Sequence, residues 1–264
     1  MRAALILLPP LLLAGLAAWR RALTPGGLAL AGVLAVVIRL CGGMPAFWVL
    51  AAVFVFTILS GRVSRRVREP IEARLHAKTG RRDAVQIFCN VFTGALALVL
   101  WRGTGFPCFL WAYGGAMAAS LADSMASELG VLSCRPPRDI LTLRPAERGL
   151  SGAVSPLGLG ASGLGAAIVA ALCALAWGRQ EGPDLFPGVL GAGFLAALGD
   201  SALGSGVQAK YRCAVCGSMT ERSAHCGRPA PLVGGKPWMT NDAVNLCNNL
   251  LGAALAGACG VWLR

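Results

Sequence analysis

Acidic and amide residues cluster at three places in a chain that is otherwise strongly apolar. The clusters span residues 123–128, 200–208 and 241–249, and each lies inside or at the end of a hydrophobic stretch. A carboxylate at the centre of a membrane costs about 3 kcal/mol by insertion scales, so such groups usually face a site lined by protein. Four of the chain's 12 acidic residues fall in these clusters, and we expect them to converge on one polar site. They are Asp123, Glu128, Asp200 and Asp242.

Helical spacing places the polar side chains of each cluster on shared helix faces, because residues three or four apart are neighbours on a helix. The polar members of these faces and their immediate neighbours are Gln86 and Asn90; Asp123, Ser127 and Glu128; Asp200, Ser201, Gly204 and Gln208; and Asn241, Asp242 and Asn245. Carboxylate and amide oxygens suit Mg²⁺, which prefers hard oxygen ligands and usually shares its coordination shell with substrate phosphates. The alternative is that these side chains only tie membrane helices together through hydrogen bonds.

Basic residues and a glycine-rich turn near the clusters could bind phosphate. Arg82 and Lys236, with Arg144 and Arg148 as further candidates, could neutralise phosphate charge. We expect a turn that contains Gly149, Ser151 and Gly152 to stand at a helix N-terminus, where free backbone N–H groups can hold a phosphate. The GxGxxG spacing that follows at residues 158–163 has no preceding strand, so it favours close packing of helices over dinucleotide binding.

The composition is typical of a polytopic membrane protein. Hydrophobic residues make up 56% of the chain and charged residues 14%, where a soluble domain carries roughly 25% charged residues. Apolar stretches fall near residues 3–19, 27–41, 44–60, 86–101, 106–122, 151–177, 186–207 and 240–263. Several are shorter than the roughly 20 residues that span hydrocarbon. We therefore predict an all-α bundle of seven or eight transmembrane helices that forms a single membrane domain over residues 1–264. We expect the first stretch to be a retained helix, because no small-residue cleavage site follows it.

The connecting segments predict the orientation of this multi-pass protein. Segments 61–83, 133–150 and 209–239 are basic, whereas the turn at 178–187 is slightly acidic. By the positive-inside rule the basic segments are cytoplasmic, and we expect the inner or plasma membrane of a prokaryote. These segments account for most of the net charge of +12, so no nucleic-acid partner is required. They could also contact anionic membrane lipids. All the polar clusters then lie toward the cytoplasmic side, where soluble nucleotides can reach them. A homo-oligomer is compatible with the sequence.

The third basic segment, 209–239, contains a Cys/His motif. Cys213 and Cys216 form a Cys-x-x-Cys pair, and His225 and Cys226 follow it. These residues supply the four ligands of a tetrahedral Cys₃His zinc site, which would be structural because every position is filled. The alternatives are a redox-active pair and unligated thiols.

Residues 57–258 resemble an integral-membrane family that includes the plant phytyl-phosphate kinase and animal transmembrane protein nineteen. The resemblance is carried, in order, by Ser60-Gly-x-Val-Ser, Arg82-x3-Gln86-Ile-Phe-Cys-Asn90, Ala119-Ser-x-Ala-Asp123-x3-Ser127-Glu128-x-Gly130, Gly149-x-Ser-Gly-Ala-Val-Ser155-x2-Gly158, Gly199-Asp200-Ser201-x2-Gly204-x3-Gln208 and Asn241-Asp242-x-Val-Asn245. It implies a phosphotransferase that passes a phosphoryl group from a nucleoside triphosphate to an isoprenoid lipid monophosphate.

The leading hypothesis is therefore a Mg²⁺-dependent membrane prenyl-phosphate kinase that uses ATP or CTP. The four acids would hold Mg²⁺, and Arg82 and Lys236 would stabilise charge on the transferred group. The substrate and nucleotide would be bound and oriented by Gln86, Asn90, Ser127, Gly149, Ser151, Gly152, Ser201, Gly204, Gln208, Asn241 and Asn245. The alternatives are a cytidylyltransferase that forms a CDP-lipid and a transporter or flippase for a phosphorylated lipid or anionic solute.

Overall fold

The fold is an all-α membrane helix bundle, as predicted. The computed structural model describes residues 2–75 and 80–263. Within them lie α1 (Arg2–Trp19), α2 (Pro25–Leu75), α3 (Ala84–Thr104), α4 (Pro107–Gly130), α5 (Pro156–Glu181), α6 (Leu185–Gly206) and α7 (Asn241–Trp262). By length and composition, five helices of this described part are apolar enough to cross a membrane, namely α2, α3, α5, α6 and α7.

Helix α2 reverses direction at Gly43, whose backbone (φ 72°, ψ −165°) leaves the helical region. Residues at similar distances on either side of Gly43 line one groove, as Leu28 does with Ile58 and Ala35 with Leu50. In a straight helix Leu28 and Ile58 would lie about 45 Å apart, at 1.5 Å of rise per residue. The two arms of α2 therefore run antiparallel, so the helices form eight segments at the positions of the eight apolar stretches.

The second arm of α2 extends much further than the apolar stretch that ends near residue 60. The segment 61–83 was expected to be a connecting loop, but the helix continues through its arginines to Leu75. Arg65 and Glu69 form an ion pair one helical turn apart, which supports this polar extension. The last turns of α2 therefore carry arginine side chains beyond the apolar part of the bundle.

Helix α4 lies at the centre of the bundle and packs against α2, α3, α5, α6 and α7. Glycines allow its closest approaches: a Cβ on Gly115 would lie 2.1 Å from the carbonyl oxygen of Gly252 on α7. A Cβ on Gly165 of α5 would lie 2.9 Å from the carbonyl oxygen of Leu121. Small residues at such crossings let membrane helices approach one another closely.

Two loop regions contain short strands. In the loop between α4 and α5, β1 (Arg138–Asp139) pairs antiparallel with β2 (Ala153–Val154). The loop between α6 and α7 holds β3 (Lys210–Arg212), β4 (Met219–Thr220), β5 (Ala224–His225), β6 (Arg228–Pro229) and β7 (Leu232–Gly234). Strands β4, β3 and β7 form one small antiparallel sheet, and β5 pairs with β6. We call this second region, residues 209–239, the Cys/His loop.

Helix α5 begins later than expected, at Pro156, with the Ser155 hydroxyl accepting a hydrogen bond from the Gly158 amide at 3.1 Å. Gly149, Ser151 and Gly152 therefore lie in the preceding loop and not at the helix N-terminus. Proline at the first helical position explains the start, because its fixed φ suits that position and its missing N–H costs nothing there.

Hydrogen bonds gather several connecting segments on one face of the bundle. The Thr24 amide donates to the Arg82 carbonyl at 3.0 Å, which joins the α1–α2 and α2–α3 connections. The Glu221 amide of the Cys/His loop donates to the Leu75 carbonyl at the end of α2 at 2.8 Å. The turns at Gly43, Gly105 and Gly182 lie at the other ends of the helices.

Candidate functional site

A cavity of about 730 Å³ opens at the face where these segments meet. Its walls come from α2, α3, α4, α5, α6, α7 and the two strand-containing loops. The residues expected at a site that do line it are Arg82, Gln86, Asn90, Asp123, Ser127, Glu128, Gly149, Ser151, Gly152, Asp200, Ser201, Gln208, Asn241, Asp242 and Asn245. Gly204 and Lys236 are not among its lining residues in the described part of the chain. The three polar clusters thus meet at one place.

Asp123 and Asp200 bring two carboxyl groups into direct contact between α4 and α6. Two carboxylates at this range repel each other unless a proton or a cation lies between them. The positive charges of Arg82 and Arg68 act on Asp123. The Asp200 Oδ2 atom is buried and has no hydrogen-bond partner among the described residues. A buried unpaired carboxylate oxygen is costly, so its position in the cavity wall calls for a ligand.

The first turn of α7 supplies a third carboxylate from Asp242, together with the amides of Asn241 and Asn245. The helix begins because the Thr240 hydroxyl caps it, accepting a hydrogen bond from the Ala243 amide at 3.4 Å. The positive end of the helix dipole favours a carboxylate at this turn and would also favour a phosphate nearby.

Glu128 lines the same cavity but already has partners. Its carboxylate forms an ion pair with Arg68 and accepts a hydrogen bond from the Ser64 hydroxyl at 3.0 Å. The Glu128 side chain is only 6% exposed. Sequence reasoning grouped Glu128 with the Mg²⁺ ligands, whereas its contacts give it a role in holding Arg68 at the cavity wall. Arg68 was missed because it was assigned to a loop.

Gln86 and Asn90, expected to orient ligands, also make structural hydrogen bonds. The Gln86 side chain accepts from the Asp83 amide at 3.1 Å, and Asp83 accepts from the Gln86 amide at 2.9 Å. This reciprocal pair is a capping box that starts α3. The Asn90 side chain accepts from the Ser120 hydroxyl at 3.2 Å and donates to the Gln86 carbonyl at 2.9 Å, which ties α3 to α4.

The loop before α5 and the Cys/His loop are joined across the cavity wall. The Ser151 hydroxyl donates to the Glu221 carboxylate and accepts from the Gln208 side-chain amide at 2.9 Å. Gly152, with φ 88°, lets this loop approach α6, since a Cβ there would lie 2.5 Å from the Ser205 backbone. Gly204 serves the same contact, because a Cβ on it would lie 2.9 Å from the Gly152 amide nitrogen. Glu221 and Tyr211 line the cavity but were not among the expected residues.

Among the described residues, four arginines line the cavity: Arg65, Arg68, Arg82 and Arg148. Arg148 is fixed by a hydrogen bond of 2.7 Å to the Val131 carbonyl. Lys236, expected to join them, instead has its ammonium 5.6 Å from the centre of the Trp238 ring. A separate backbone hydrogen bond of 3.0 Å joins the Lys236 amide to the Val207 carbonyl.

An apolar groove of about 370 Å³ adjoins the polar cavity between α1, the two arms of α2, and α3. Its walls include Leu13, Leu28, Val53, Phe54 and Ile87, and its polar end carries arginines. The groove and the cavity share Gly61, Arg65, Gly80, Arg82, Asn90 and Glu128. Together they could accommodate a molecule with one apolar and one anionic part.

The chemistry of the cavity suits a divalent cation with bound phosphates. Asp123, Asp200 and Asp242 come from three packed helices and offer hard oxygen ligands. One of these is the buried Asp200 Oδ2, which has no hydrogen-bond partner in the described part of the chain. Mg²⁺ is commonly held by one or two carboxylates plus substrate phosphates. The arginines on the α2 side of the cavity could then bind phosphate oxygens.

The predicted metal ligands of the Cys/His loop also come together. One ligand atom from each of Cys213, Cys216, His225 and Cys226 lies within 4.8 Å of all the others. Hydrogen bonds with Ser218 lower the pKa of the Cys216 thiol to about 6, which favours the thiolate form that binds metals. This cluster is separate from the residues that line the polar cavity.

Comparison with known proteins gives one family match and several relatives. The profile of the integral membrane protein family DUF92 matches residues 8–253. An uncharacterised membrane protein of Synechocystis sp. is 29% identical over 243 residues, covering 90% of this chain and 82% of that protein. Protein PGR of Arabidopsis thaliana is 27% identical over 264 residues, covering 89% of this chain and 88% of that protein. An uncharacterised membrane protein of Methanocaldococcus jannaschii is 34% identical over 117 residues, covering 43% of this chain and 47% of that protein. No solved structure matches the chain at a significant level.

Proposed function

The chain belongs to the integral membrane protein family DUF92, and from its polar cavity and the adjoining apolar groove we propose that it is a membrane kinase for isoprenoid lipid monophosphates. The family membership confirms the resemblance read from the sequence blocks between residues 57 and 258. The proposed reaction transfers the terminal phosphoryl group of ATP or CTP to the lipid phosphate, giving a lipid diphosphate and a nucleoside diphosphate.

The observation that carries this proposal is the shared wall between the polar cavity and the apolar groove. A prenyl chain in the groove would be removed from lipid and water by the α2 arms, α1 and α3. Its phosphate would then lie beside Arg65 and Arg82, which line both spaces. A water-soluble acceptor would leave the apolar groove empty, and a simple hydrocarbon would place no anionic group beside the arginines.

The nucleotide would occupy the larger polar cavity. Asp123, Asp200 and Asp242 fit a Mg²⁺ ion, which would bridge and partly neutralise the donor phosphates when bound. The loop carrying Gly149, Ser151 and Gly152 and the first turn of α7 present polar groups to the same space. Arg148 adds a positive charge on that side.

In the proposed step, an ionised oxygen of the lipid phosphate attacks the terminal phosphorus of the donor. The new P–O bond forms as the bond from that phosphorus to the bridging oxygen breaks, and the nucleoside diphosphate leaves with the electron pair. The acceptor has no proton to lose, so the cavity needs no general base. Catalysis then depends on positioning and on charge neutralisation, which Arg65 and Arg82 would supply on the lipid side.

The proposed orientation puts the cavity on the cytoplasmic side, where nucleoside triphosphates are available. It is supported by the position of the basic segments, which share the cavity's face. Positive residues in short loops favour the cytoplasmic side of a membrane.

The test is phosphate transfer by the purified protein in detergent or nanodiscs, with prenyl monophosphates of several chain lengths and with ATP or CTP labelled at the terminal phosphate. We expect labelled lipid diphosphate, formed only when Mg²⁺ is present. Release of pyrophosphate with a nucleotide attached to the lipid would instead identify a cytidylyltransferase. Movement of prenyl phosphate across proteoliposomes without a donor nucleotide would identify a transporter.

A further inference from the structure

We propose that the Cys/His loop binds one Zn²⁺ ion through Cys213, Cys216, His225 and Cys226, and that this ion gives the loop its fold. The site is distinct from the proposed Mg²⁺ site and does not depend on the kinase activity. Its inner ligand, Cys213, is 2% exposed, whereas Cys216 and Cys226 are exposed.

The distances match a tetrahedral site. With zinc–sulfur bonds of about 2.3 Å, neighbouring ligand atoms of a tetrahedron lie about 3.8 Å apart. The His225 Nδ1 atom lies 3.5 Å from the Cys216 sulfur and 3.3 Å from the Cys226 sulfur. The Cys₃His donor set fills all four positions, which is typical of structural zinc and leaves no position for a substrate.

Two tight turns present these ligands. In the first, the Val215 and Cys216 amides donate to the Cys213 sulfur at 3.4 and 3.5 Å, an arrangement that stabilises a thiolate. In the second, which joins β5 to β6, Cys226 has φ 51° and the following Gly227 has φ 72°. Cys226 therefore adopts the left-handed conformation that most side chains avoid, and its sulfur contacts the His225 ring.

The described residues of the loop form almost no hydrophobic core. Between residues 210 and 238, the buried residues among those described are Cys213, Thr220 and Ala230. The strands are two or three residues long. Small units without a hydrophobic core are usually held by disulfides or a structural metal, and the ten cysteines of this chain are free.

The zinc ion would also fix part of the cavity wall. The Cys213–Cys216 turn connects β3 to β4, and β4 is followed by Glu221. The Thr220 hydroxyl donates to the Leu75 carbonyl at 3.0 Å, and Glu221 bonds to Ser151 across the wall. Loss of the metal would release this strand and, with it, the contact between Glu221 and Ser151.

The experiment uses the full chain in detergent, purified without chelators and with a tag that does not bind metals. We expect one zinc ion per chain by elemental analysis, and tetrahedral cobalt–thiolate absorption bands after exchange with Co²⁺. Cys216→Ser and Cys226→Ser should lose the metal, whereas Cys134→Ser, an exposed cysteine outside the loop, should keep it. In the wild-type protein, a chelator should expose the bonds after Arg212 and Arg222 to trypsin, and added Zn²⁺ should protect them again.

Three results would overturn the proposal. The first is wild-type protein that contains no zinc and takes up neither Zn²⁺ nor Co²⁺. The second is a disulfide between Cys213 and Cys216 in the native protein, detected by mass spectrometry. The third is a Cys216→Ser variant that binds zinc as the wild type does. Because metal exchange and proteolysis are measured on the wild type, poor folding of a variant would not obscure the outcome.

Discussion

Asp123 on α4 and Asp200 on α6 hold their carboxyl groups in contact at the wall of the polar cavity. Such a contact opposes folding unless something positively charged joins it. Both acids lie in the folded bundle at this contact, and the charges of Arg68 on α2 and Arg82 in the α2–α3 connection act on Asp123. This contact supplies the first of four predictions.

Replacing Asp200 with asparagine should abolish the proposed transfer while leaving the protein folded. The change removes one proposed Mg²⁺ ligand, and we expect kcat to fall by about 100-fold or more, as for other groups that stabilise charge in a transition state. It also removes the repulsion from Asp123, so the melting temperature should stay the same or rise.

The matched control for Asp200→Asn is Asp184→Asn. Asp184 precedes the same helix, at the end away from the cavity, and its side chain makes no capping hydrogen bond there. The control should retain full activity. Full activity of Asp200→Asn would contradict the proposed ligand set, whatever its stability.

Removing Glu128 should destabilise the protein more than it changes chemistry. Glu128→Ala would leave Arg68 at the cavity wall without its buried partner, and breaking such a pair costs about 3–5 kcal/mol. Glu69→Ala is the control, because its pair with Arg65 is exposed and worth less than about 1 kcal/mol. Thermal unfolding of both variants in the same detergent gives the comparison. A stable but inactive Glu128→Ala protein would return Glu128 to the group of direct ligands.

Filling the apolar groove should weaken the binding of long prenyl chains. Gly32 lines the groove, and a Cβ there would meet no described atom within 4 Å. We therefore expect Gly32→Phe to fold, with its ring occupying the space proposed for the prenyl chain. Losing burial of only two methylene groups costs about 1.6 kcal/mol, so KM for long prenyl phosphates should rise more than about tenfold. KM for the nucleotide should not change.

The control for the groove is Gly191→Phe on α6. A Cβ on Gly191 also meets no described atom within 4 Å, but this residue lines neither the groove nor the polar cavity. It should leave both KM values as in the wild type. Equal effects of the two substitutions would show that the groove does not bind the lipid chain.

Adding one methyl group at the α4–α7 crossing should destabilise the bundle. A Cβ on Gly115 would lie 2.1 Å from the Gly252 carbonyl oxygen, so Gly115→Ala must push the two helices apart. Overpacking of this kind costs about 1–3 kcal/mol. Gly160→Ala on α5 is the control, since a Cβ there meets no described atom within 4 Å. Thermal unfolding should separate the two variants, and equal melting temperatures would contradict the close crossing.

Much of the fold could be predicted from hydrophobicity and glycine placement. The eight apolar stretches correspond to the eight helical segments, and the break at Gly43 falls between the second and third stretches. The extension of α2 to Leu75 was missed, because hydrophobicity marks where a helix crosses an apolar layer and not where it ends. The arginines of this extension are good helix formers, which was the available signal.

The candidate site was only partly predictable. Residue type and spacing identified the acids, but contact between Asp123 and Asp200 depends on how α4 and α6 pack, which local sequence does not specify. The role of Gln86 could have been recognised, since Asp83-x-x-Gln86 has the spacing of a capping box. Glu221 and Tyr211 carried no such signal, because a long loop brings them to the cavity wall from outside the helices.

The reversal at Gly43 has a topological consequence for anyone who labels this protein. Because of this reversal, the first turn of α1 and the last turn of α7 lie at the same end of the helix bundle, opposite the polar cavity. Reporter domains attached next to Arg2 or Trp262 would therefore lie at the far end of the bundle from the polar cavity and would not obstruct its opening.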